Sequence, residues 1–130
     1  MRRNCTPQLI AVVDDEAALR QAIRSVLRSA GFSAECFASP AELLRSDSVK
    51  RAACLILDVH LPGMSGLELQ QLMVAQGWRI PIVFITGQDD ANGSLQAQAL
   101  QAGAVAFLRK PFHEEDLLQA LKQVLPPSTE

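Results

Sequence analysis

The chain has 130 residues, of which 48% are hydrophobic and 20% charged, so it is long enough for one compact domain and too apolar to be intrinsically disordered. Its net charge is −2, from 12 basic and 14 acidic residues that form no basic stripe, which argues against direct binding to nucleic acid. The three cysteines have no spacing typical of a zinc site, and no apolar run approaches the ~20 residues of a membrane helix. We therefore expect a cytoplasmic domain.

The chain divides into three predicted parts. Residues 1–7 form an N-terminal tail, and residues 8–125 form the folded domain. Residues 126–130, with two prolines and a serine, form a C-terminal tail or the first part of a linker to an output domain that is absent.

Within the folded part, short apolar runs typical of buried strands alternate with amphipathic runs typical of helices. The predicted strands are residues 9–13, 33–37, 53–57, 82–85 and 105–108. The predicted helices are residues 17–30, a helix that begins at Pro40, residues 67–75, residues 94–102 and residues 114–124. The 94–102 pattern is weak because Asn92-Gly93 precedes it, which fits either a mobile segment or a helix that begins later.

Local signals define several helix ends. Gly31 and Gly77 are expected to end the first and third helices in the left-handed conformation that glycine adopts easily. Before the second helix, Ser39 is a predicted N-cap, Pro40 a first helical residue and Glu42 a capping-box partner.

Five such strand–helix units predict an α/β fold, in which a parallel five-stranded sheet is covered by helices on both faces. The commonest arrangement at this size is a doubly wound, flavodoxin-like (βα)5 sheet with the strand order 2-1-3-4-5. Ligands of such sheets bind beyond the carboxyl ends of the strands, so that edge is the expected place for chemistry.

Polar side chains follow the predicted strands at this edge. Asp14 and Asp15 follow the first strand, Asp58 the third, Thr86 the fourth and Lys110 the fifth. Three carboxylates this close would repel one another unless a cation is bound, and with one lysine they leave two negative charges. One divalent ion would balance these two charges. Because the ligands are oxygens and no histidine or cysteine pattern accompanies them, we expect a hard ion, Mg²⁺ or Mn²⁺.

Bound Mg²⁺ usually completes its shell with phosphoryl oxygens, so this edge predicts phosphoryl transfer. Asp14 and Asp15, adjacent at one strand end, are the predicted metal ligands, and Asp58, at the central strand end, is the predicted nucleophile that forms an acyl phosphate. Lys110 and Thr86 would stabilise the charge on the phosphoryl oxygens.

The motifs VVDDE, LILDVHLPGMSGLEL, IPIVFITG and AGAVAFLRKPF, in this order and spacing, resemble the receiver domains of bacterial two-component response regulators. The resemblance covers residues 9–125. The segments PGMSGLEL, IPIVFITG and FLRKPF are most similar to the FixJ-like branch, whose members usually carry a helix-turn-helix output domain after the receiver.

The resemblance implies that a sensor histidine kinase phosphorylates Asp58 in a Mg²⁺-dependent reaction, and that Thr86 and Lys110 contact the phosphoryl group. It also implies four metal ligands: the carboxylates of Asp14, Asp15 and Asp58 and the backbone carbonyl of His60. Such a domain is a phosphoacceptor in signalling and catalyses only its own phosphorylation and dephosphorylation.

The resemblance further assigns a switch. Thr86 would move toward the phosphoryl group and Phe107 would turn inward behind it, which remodels the face formed by residues 94–102, 105–108 and 114–124. In many members this face forms a homodimer or meets the output domain. His60 and Gln88 would lie beside the acyl phosphate, and we expect them to tune its rate of hydrolysis.

Other classes fit the sequence less well. A flavin site would need a Ser/Thr/Gly-rich loop where the chain has DDEAA, a dinucleotide site would need GxGxxG, and a haloacid-dehalogenase-type phosphatase would need an acid where His60 stands. One alternative stays open: a degenerate receiver that acts as a protein-interaction module without phosphorylation, although Asp58, Lys110 and the acidic pair are all present. The chain is either a stand-alone regulator or the receiver of a longer transcription factor.

Overall fold

The computed structural model of the chain describes residues 8–61, 63–78, 80–87, 97, 101, 106–110 and 112–124. Its strands are β1 (Leu9–Val13), β2 (Ser33–Phe37), β3 (Cys54–Asp58), β4 (Ile82–Thr86) and β5 (Ala106–Arg109). Its helices are α1 (Ala17–Ser29), α2 (Pro40–Leu44), α3 (Gly66–Ala75) and α4 (Glu114–Val124), with a 3₁₀ turn at Ser48–Arg51. The predicted helix at residues 94–102 lies almost wholly outside the described residues and receives no label. The label α4 therefore belongs to the fifth predicted helix, at residues 114–124.

The five strands form one parallel sheet in the order β2-β1-β3-β4-β5, which confirms the predicted topology. Three predicted strand ends were wrong by one residue, because pairing continues into the polar positions. Asp58 pairs with Ile85 as the last residue of β3, and Thr86, the last residue of β4, pairs with Arg109, the last residue of β5. Asp58 and Thr86 are therefore fixed by ladder pairing instead of following it in a loop.

Two apolar clusters cover the two faces of the sheet. Side chains of each strand point alternately to opposite faces, so Val12 and Ile56 join one cluster while Val13 and Leu57 join the other. Helices α1 and α4 cover the first face, and α2 and α3 cover the second. Burying each such side chain stabilises the fold by about 1.5–3 kcal/mol, which explains why the central strands are continuous apolar runs.

The helix ends show one wrong prediction and one missed signal. Ser39 caps α2 as predicted, since its hydroxyl accepts from the Glu42 amide at 3.3 Å, but the Glu42 carboxylate accepts from the Ala38 amide at 3.0 Å instead of from Ser39. A complete reciprocal capping box occurs at α3, between Ser65 and Glu68, where the sequence reading had not placed one.

Two glycines end helices as expected. Gly31 has φ of 95° after α1 and Gly77 has φ of 81° after α3, conformations that a side chain would strain.

Within the described residues no helix is both long and apolar enough to cross a membrane.

Trp78, the one tryptophan of the sequence, follows α3 and precedes β4. It is therefore at the amino edge of the sheet, opposite the edge where the strands end. The indole packs against the cluster under α2 and α3, and Lys50 Nζ lies 5.7 Å from its ring centroid.

Candidate functional site

The predicted acidic residues meet at the carboxyl edge of the sheet. One carboxylate oxygen from each of Asp14, Asp15 and Asp58 lies within 4.8 Å of the others. Asp14 and Asp58 are buried and Asp15 is exposed, so the cluster opens to solvent on one side. The parallel order β1-β3 brings these side chains together, because both strands end at the same edge.

Lys110 supplies the cation that the structure places among these carboxylates. Its Nζ donates to Asp58 Oδ2 at 3.1 Å and forms an ion pair with Asp14 Oδ2 at 3.3 Å. The Lys110 amide donates to the Thr86 carbonyl at 2.7 Å, which anchors the backbone at the end of β5. Burial lowers the pKa of Lys110, but the charges of Asp14 and Asp58 outweigh burial, so its pKa lies above the ordinary 10.5 and the ammonium stays charged.

Asp14 is the most buried carboxylate of the site, with 1% of its surface exposed. Burial raises its pKa, the amide hydrogen bond from Glu16 opposes this, and the charge of Asp58 raises the pKa again, so the net shift is upward. Asp14 Oδ1 accepts the Glu16 amide at 2.8 Å, whereas the buried Oδ2 accepts no hydrogen bond within the described residues and is met only by the ion pair with Lys110 at 3.3 Å. A buried carboxylate oxygen that accepts no hydrogen bond is incompletely satisfied, and a bound cation would relieve that cost.

Asp58 is held on both carboxylate oxygens. Oδ1 accepts the amide of His60 at 3.0 Å and Oδ2 accepts Lys110 Nζ. The imidazole-bearing residue His60 is exposed, and it contacts the phosphoacceptor candidate through its backbone amide. The two bonds fix the direction in which the carboxylate faces the cluster.

Gly66, the first residue of α3, packs directly against the backbone of Asp58. Its amide donates to the Val59 carbonyl at 2.7 Å, and a Cβ at this position would overlap the backbone oxygen of Asp58. Only glycine allows α3 to approach the end of β3 so closely. The predicted helix began at residue 67, and no role was predicted for Gly66.

Thr86 and Phe107 occupy β4 and β5 beside the acidic cluster. Thr86 is fully buried, and within the described part of the chain its hydroxyl has no hydrogen-bond partner. Phe107 is half-buried, and its ring centroid lies 6.3 Å from that of Phe84 with a 39° tilt. Gln88, the second predicted rate-tuning residue, lies outside the described residues.

The oxygen donors fit a hard divalent ion. Three carboxylates converge, and the buried Oδ2 of Asp14 is met by an ion pair but by no hydrogen bond in the described part of the chain. Among the described residues no histidine or cysteine joins this cluster, which disfavours zinc or copper and favours a hard ion such as Mg²⁺ or Mn²⁺.

Comparisons with known proteins decide the family. The family model of the response regulator receiver domain matches residues 10–122. The chain belongs to this family. As a receiver domain it is a signalling module, and its fold agrees with the expectation drawn from the sequence motifs.

Individual relatives show the same relationship. The receiver is 43% identical over 117 residues to the response regulator protein TodT of Pseudomonas putida, covering 90% of this chain and 51% of TodT. It is 39% identical over 112 residues to the transcriptional regulatory protein FixJ of Bradyrhizobium diazoefficiens, covering 86% of this chain and 53% of FixJ. The low-resolution structure of the response regulator StyR superposes with a TM-score of 0.82 at 42% identity, covering 92% of this chain and 60% of StyR.

The receiver thus spans about half the length of the curated relatives that it matches. FixJ-like proteins are among them, in agreement with the resemblance noted in the sequence.

Two residues of the site escaped the sequence reading. Glu16 donates its amide to Asp14 Oδ1, and Arg20 donates from its guanidinium to the Asp14 backbone carbonyl at 2.7 Å. The sequence carried no signal for either contact, because each depends on how the turn between β1 and α1 is folded.

Proposed function

We propose that this receiver accepts a phosphoryl group on Asp58 in a reaction that requires Mg²⁺ or Mn²⁺. The observation that carries the proposal is the grouping of Asp14, Asp15 and Asp58 within 4.8 Å around a lysine that contacts two of them. Such a cluster is costly as a purely structural feature, because like charges this close destabilise one another.

In this proposal Asp14, Asp15, Asp58 and the backbone carbonyl of His60 hold the ion. When bound, the ion would neutralise charge on the incoming phosphoryl oxygens. The buried Oδ2 of Asp14, which has an ion pair but accepts no hydrogen bond within the described residues, supports the assignment of Asp14 as a ligand.

Asp58 supplies the nucleophile. One carboxylate oxygen attacks phosphorus, a new O–P bond forms, and the bond from phosphorus to the donor breaks with the leaving group taking the electron pair. The hydrogen bonds from His60 and Lys110 orient the carboxylate before the reaction. Lys110 and the Thr86 hydroxyl then donate to the phosphoryl oxygens, and Thr86 has a donor available because its hydroxyl has no partner in the described structure.

The phosphoryl donor in this proposal is a sensor histidine kinase. Phosphorylation would draw Thr86 toward the phosphoryl group and let Phe107 turn inward behind it. The half-buried position of Phe107 beside Phe84 supports this assignment, since part of its ring is still exposed and can be buried further by an inward turn. His60 and Gln88 remain the residues proposed to tune the lifetime of the acyl phosphate.

The output lies in the part of a longer protein that this chain does not span. The curated relatives are about twice as long, and FixJ is a transcriptional regulatory protein. We infer a C-terminal DNA-binding output domain. The phosphorylated receiver would act on it by dimerising through the face formed by residues 94–102, 105–108 and 114–124. The receiver itself would contact neither DNA nor a membrane.

The test is the intact mass of the purified domain after incubation with Mg²⁺ and acetyl phosphate. The parent should gain one phosphoryl mass, and the gain should disappear with EDTA and in Asp58→Asn. Asp47→Asn is the matched control, since Asp47 is an exposed aspartate outside the cluster, and it should gain the same mass as the parent. A parent that gains nothing from acetyl phosphate or from a cognate kinase would favour the alternative, a receiver that works by protein contact alone.

A further inference from the structure

Arg20 joins helix α1 to the end of strand β1. Its backbone amide makes the ordinary helical bond to Glu16 at 3.0 Å, while its guanidinium Nη1 reaches back to donate to the Asp14 carbonyl at 2.7 Å. The second bond spans six residues and is charge-assisted, which makes it about twice as strong as a neutral hydrogen bond.

Among the described residues, the turn that Arg20 holds has few other backbone supports. Glu16, the N-cap residue of α1, makes no side-chain capping bond. The Asp14 amide donates to the Phe37 carbonyl at 3.2 Å, and the Asp14 side chain accepts from the Glu16 amide and pairs with Lys110. Asp15 lies inside this turn and is exposed, so its direction depends on the backbone around it.

We propose that Arg20 is a positioning residue for the cation site. Its guanidinium fixes the Asp14 carbonyl, and thereby the turn from which Asp14 and Asp15 present their carboxylates. This inference rests on the proposed function, because it assigns a supporting group to the same site.

Charge and positioning predict effects of opposite sign, which makes the proposal testable. Removing a positive charge close to a cation site strengthens cation binding by Coulomb's law. Removing the bond that orients two ligands weakens cation binding, by about 10- to 100-fold for hydrogen-bond partners of metal ligands in general. Because Arg20 is half-exposed and acts on one carbonyl, we expect the lower end, about 10-fold.

The experiment measures Mn²⁺ affinity from the electron paramagnetic resonance signal of the free aqueous ion. Parent, Arg20→Met, Arg20→Lys and Arg24→Met are titrated at fixed ionic strength. Arg24 is the matched control, because it is an exposed arginine one turn further along α1. We expect Arg20→Met to bind Mn²⁺ about 10-fold more weakly, Arg20→Lys to recover most of the affinity, and Arg24→Met to bind as tightly as the parent or slightly more tightly.

Thermal unfolding in EDTA, followed by circular dichroism, shows whether each variant folds. If Arg20→Met does not fold, Arg20→Gln and Arg24→Gln replace the pair, and the proposal requires weaker Mn²⁺ binding by Arg20→Gln. If the parent binds Mn²⁺ and the Arg20 variants bind it as tightly as the parent or more tightly, the positioning role is overturned and the cation site is not. A parent that binds no Mn²⁺ overturns the proposed cation site together with it.

Discussion

Replacing Gly66 with alanine tests how closely α3 must approach the end of strand β3 at Asp58. The new methyl group would overlap the backbone oxygen of Asp58 and would lie 3.1 Å from Phe84 Cε1 and 3.1 Å from Val59 Cα. Two of these three atoms belong to the backbone of β3 and its continuation, so a side-chain rotation cannot relieve the overlap. Either α3 or the end of β3 must move.

The expected cost follows from these contacts. Overpacking a well-filled interior costs about 1–3 kcal/mol, and the upper end applies because backbone atoms are involved. Alanine recovers at most about 1 kcal/mol through its higher helix propensity. The net loss is therefore about 2 kcal/mol, which for a domain of this size lowers the midpoint of thermal unfolding by roughly 8 °C.

Urea and thermal unfolding in EDTA, followed by circular dichroism, measure this loss. Gly87→Ala is the matched control, because a Cβ there meets no heavy atom of the described residues within 4 Å and the residue is outside the left-handed region. Its unfolding free energy should change by less than about 0.5 kcal/mol. If Gly66→Ala proves as stable as Gly87→Ala, the close approach of α3 to Asp58 is not a constraint and the reasoning fails.

Two further predictions concern the buried polar groups of the site. Asp14→Asn should stabilise the cation-free protein at neutral pH, because burial followed by the Asp58 charge raises the pKa of Asp14 above 3.8 despite the Glu16 hydrogen bond. The folded state then binds more protons than the unfolded state between 3.8 and the raised pKa, so the parent gains stability as the pH falls through that window. Urea unfolding in EDTA from neutral to acidic pH should show the advantage of Asp14→Asn shrinking, and a constant advantage would contradict the assigned cause. Thr86→Val should raise the unfolding free energy by about 1 kcal/mol, because it keeps the shape and removes a buried hydroxyl with no partner in the described structure. It should also slow phosphorylation by acetyl phosphate, and a lower thermal midpoint would show that the hydroxyl is satisfied in solution.

The order of elements could be read from the sequence because each strand is a short apolar run. Burial on both faces removes polar residues from the middle of a strand, so the first polar residue after an apolar run, such as Asp14 after β1, marks the carboxyl edge. The strand ends were less predictable, since Asp58 and Thr86 continue the ladder by one residue. At the end of a strand a polar residue can pair its backbone while its side chain reaches the open edge of the sheet. A hydropathy pattern therefore does not show that the strand continues through such a residue.

The contacts that depend on the path of the backbone were missed. The Ser65–Glu68 capping box was missed because Ser65 lies two residues before the predicted start of the helix, and the Glu42 carboxylate bonds one residue earlier than the motif implies. The bond from Arg20 to Asp14 has no pattern in sequence, because it depends on where a long side chain folds back. Sequence thus located the charged groups of the site, and the structure was needed to show what orients them.

The position of Trp78 determines what the intrinsic fluorescence of this receiver can report. The indole is at the amino edge of the sheet, separated from the acidic cluster by the length of a five-residue strand, roughly 16 Å. An ion or phosphoryl group at Asp58 is too far away to quench the indole by contact. A change in Trp78 emission when an ion or phosphoryl group binds would instead be evidence of a structural change that extends from one edge of the sheet to the other. Trp78 fluorescence therefore reports long-range conformational change and does not report binding at the site itself.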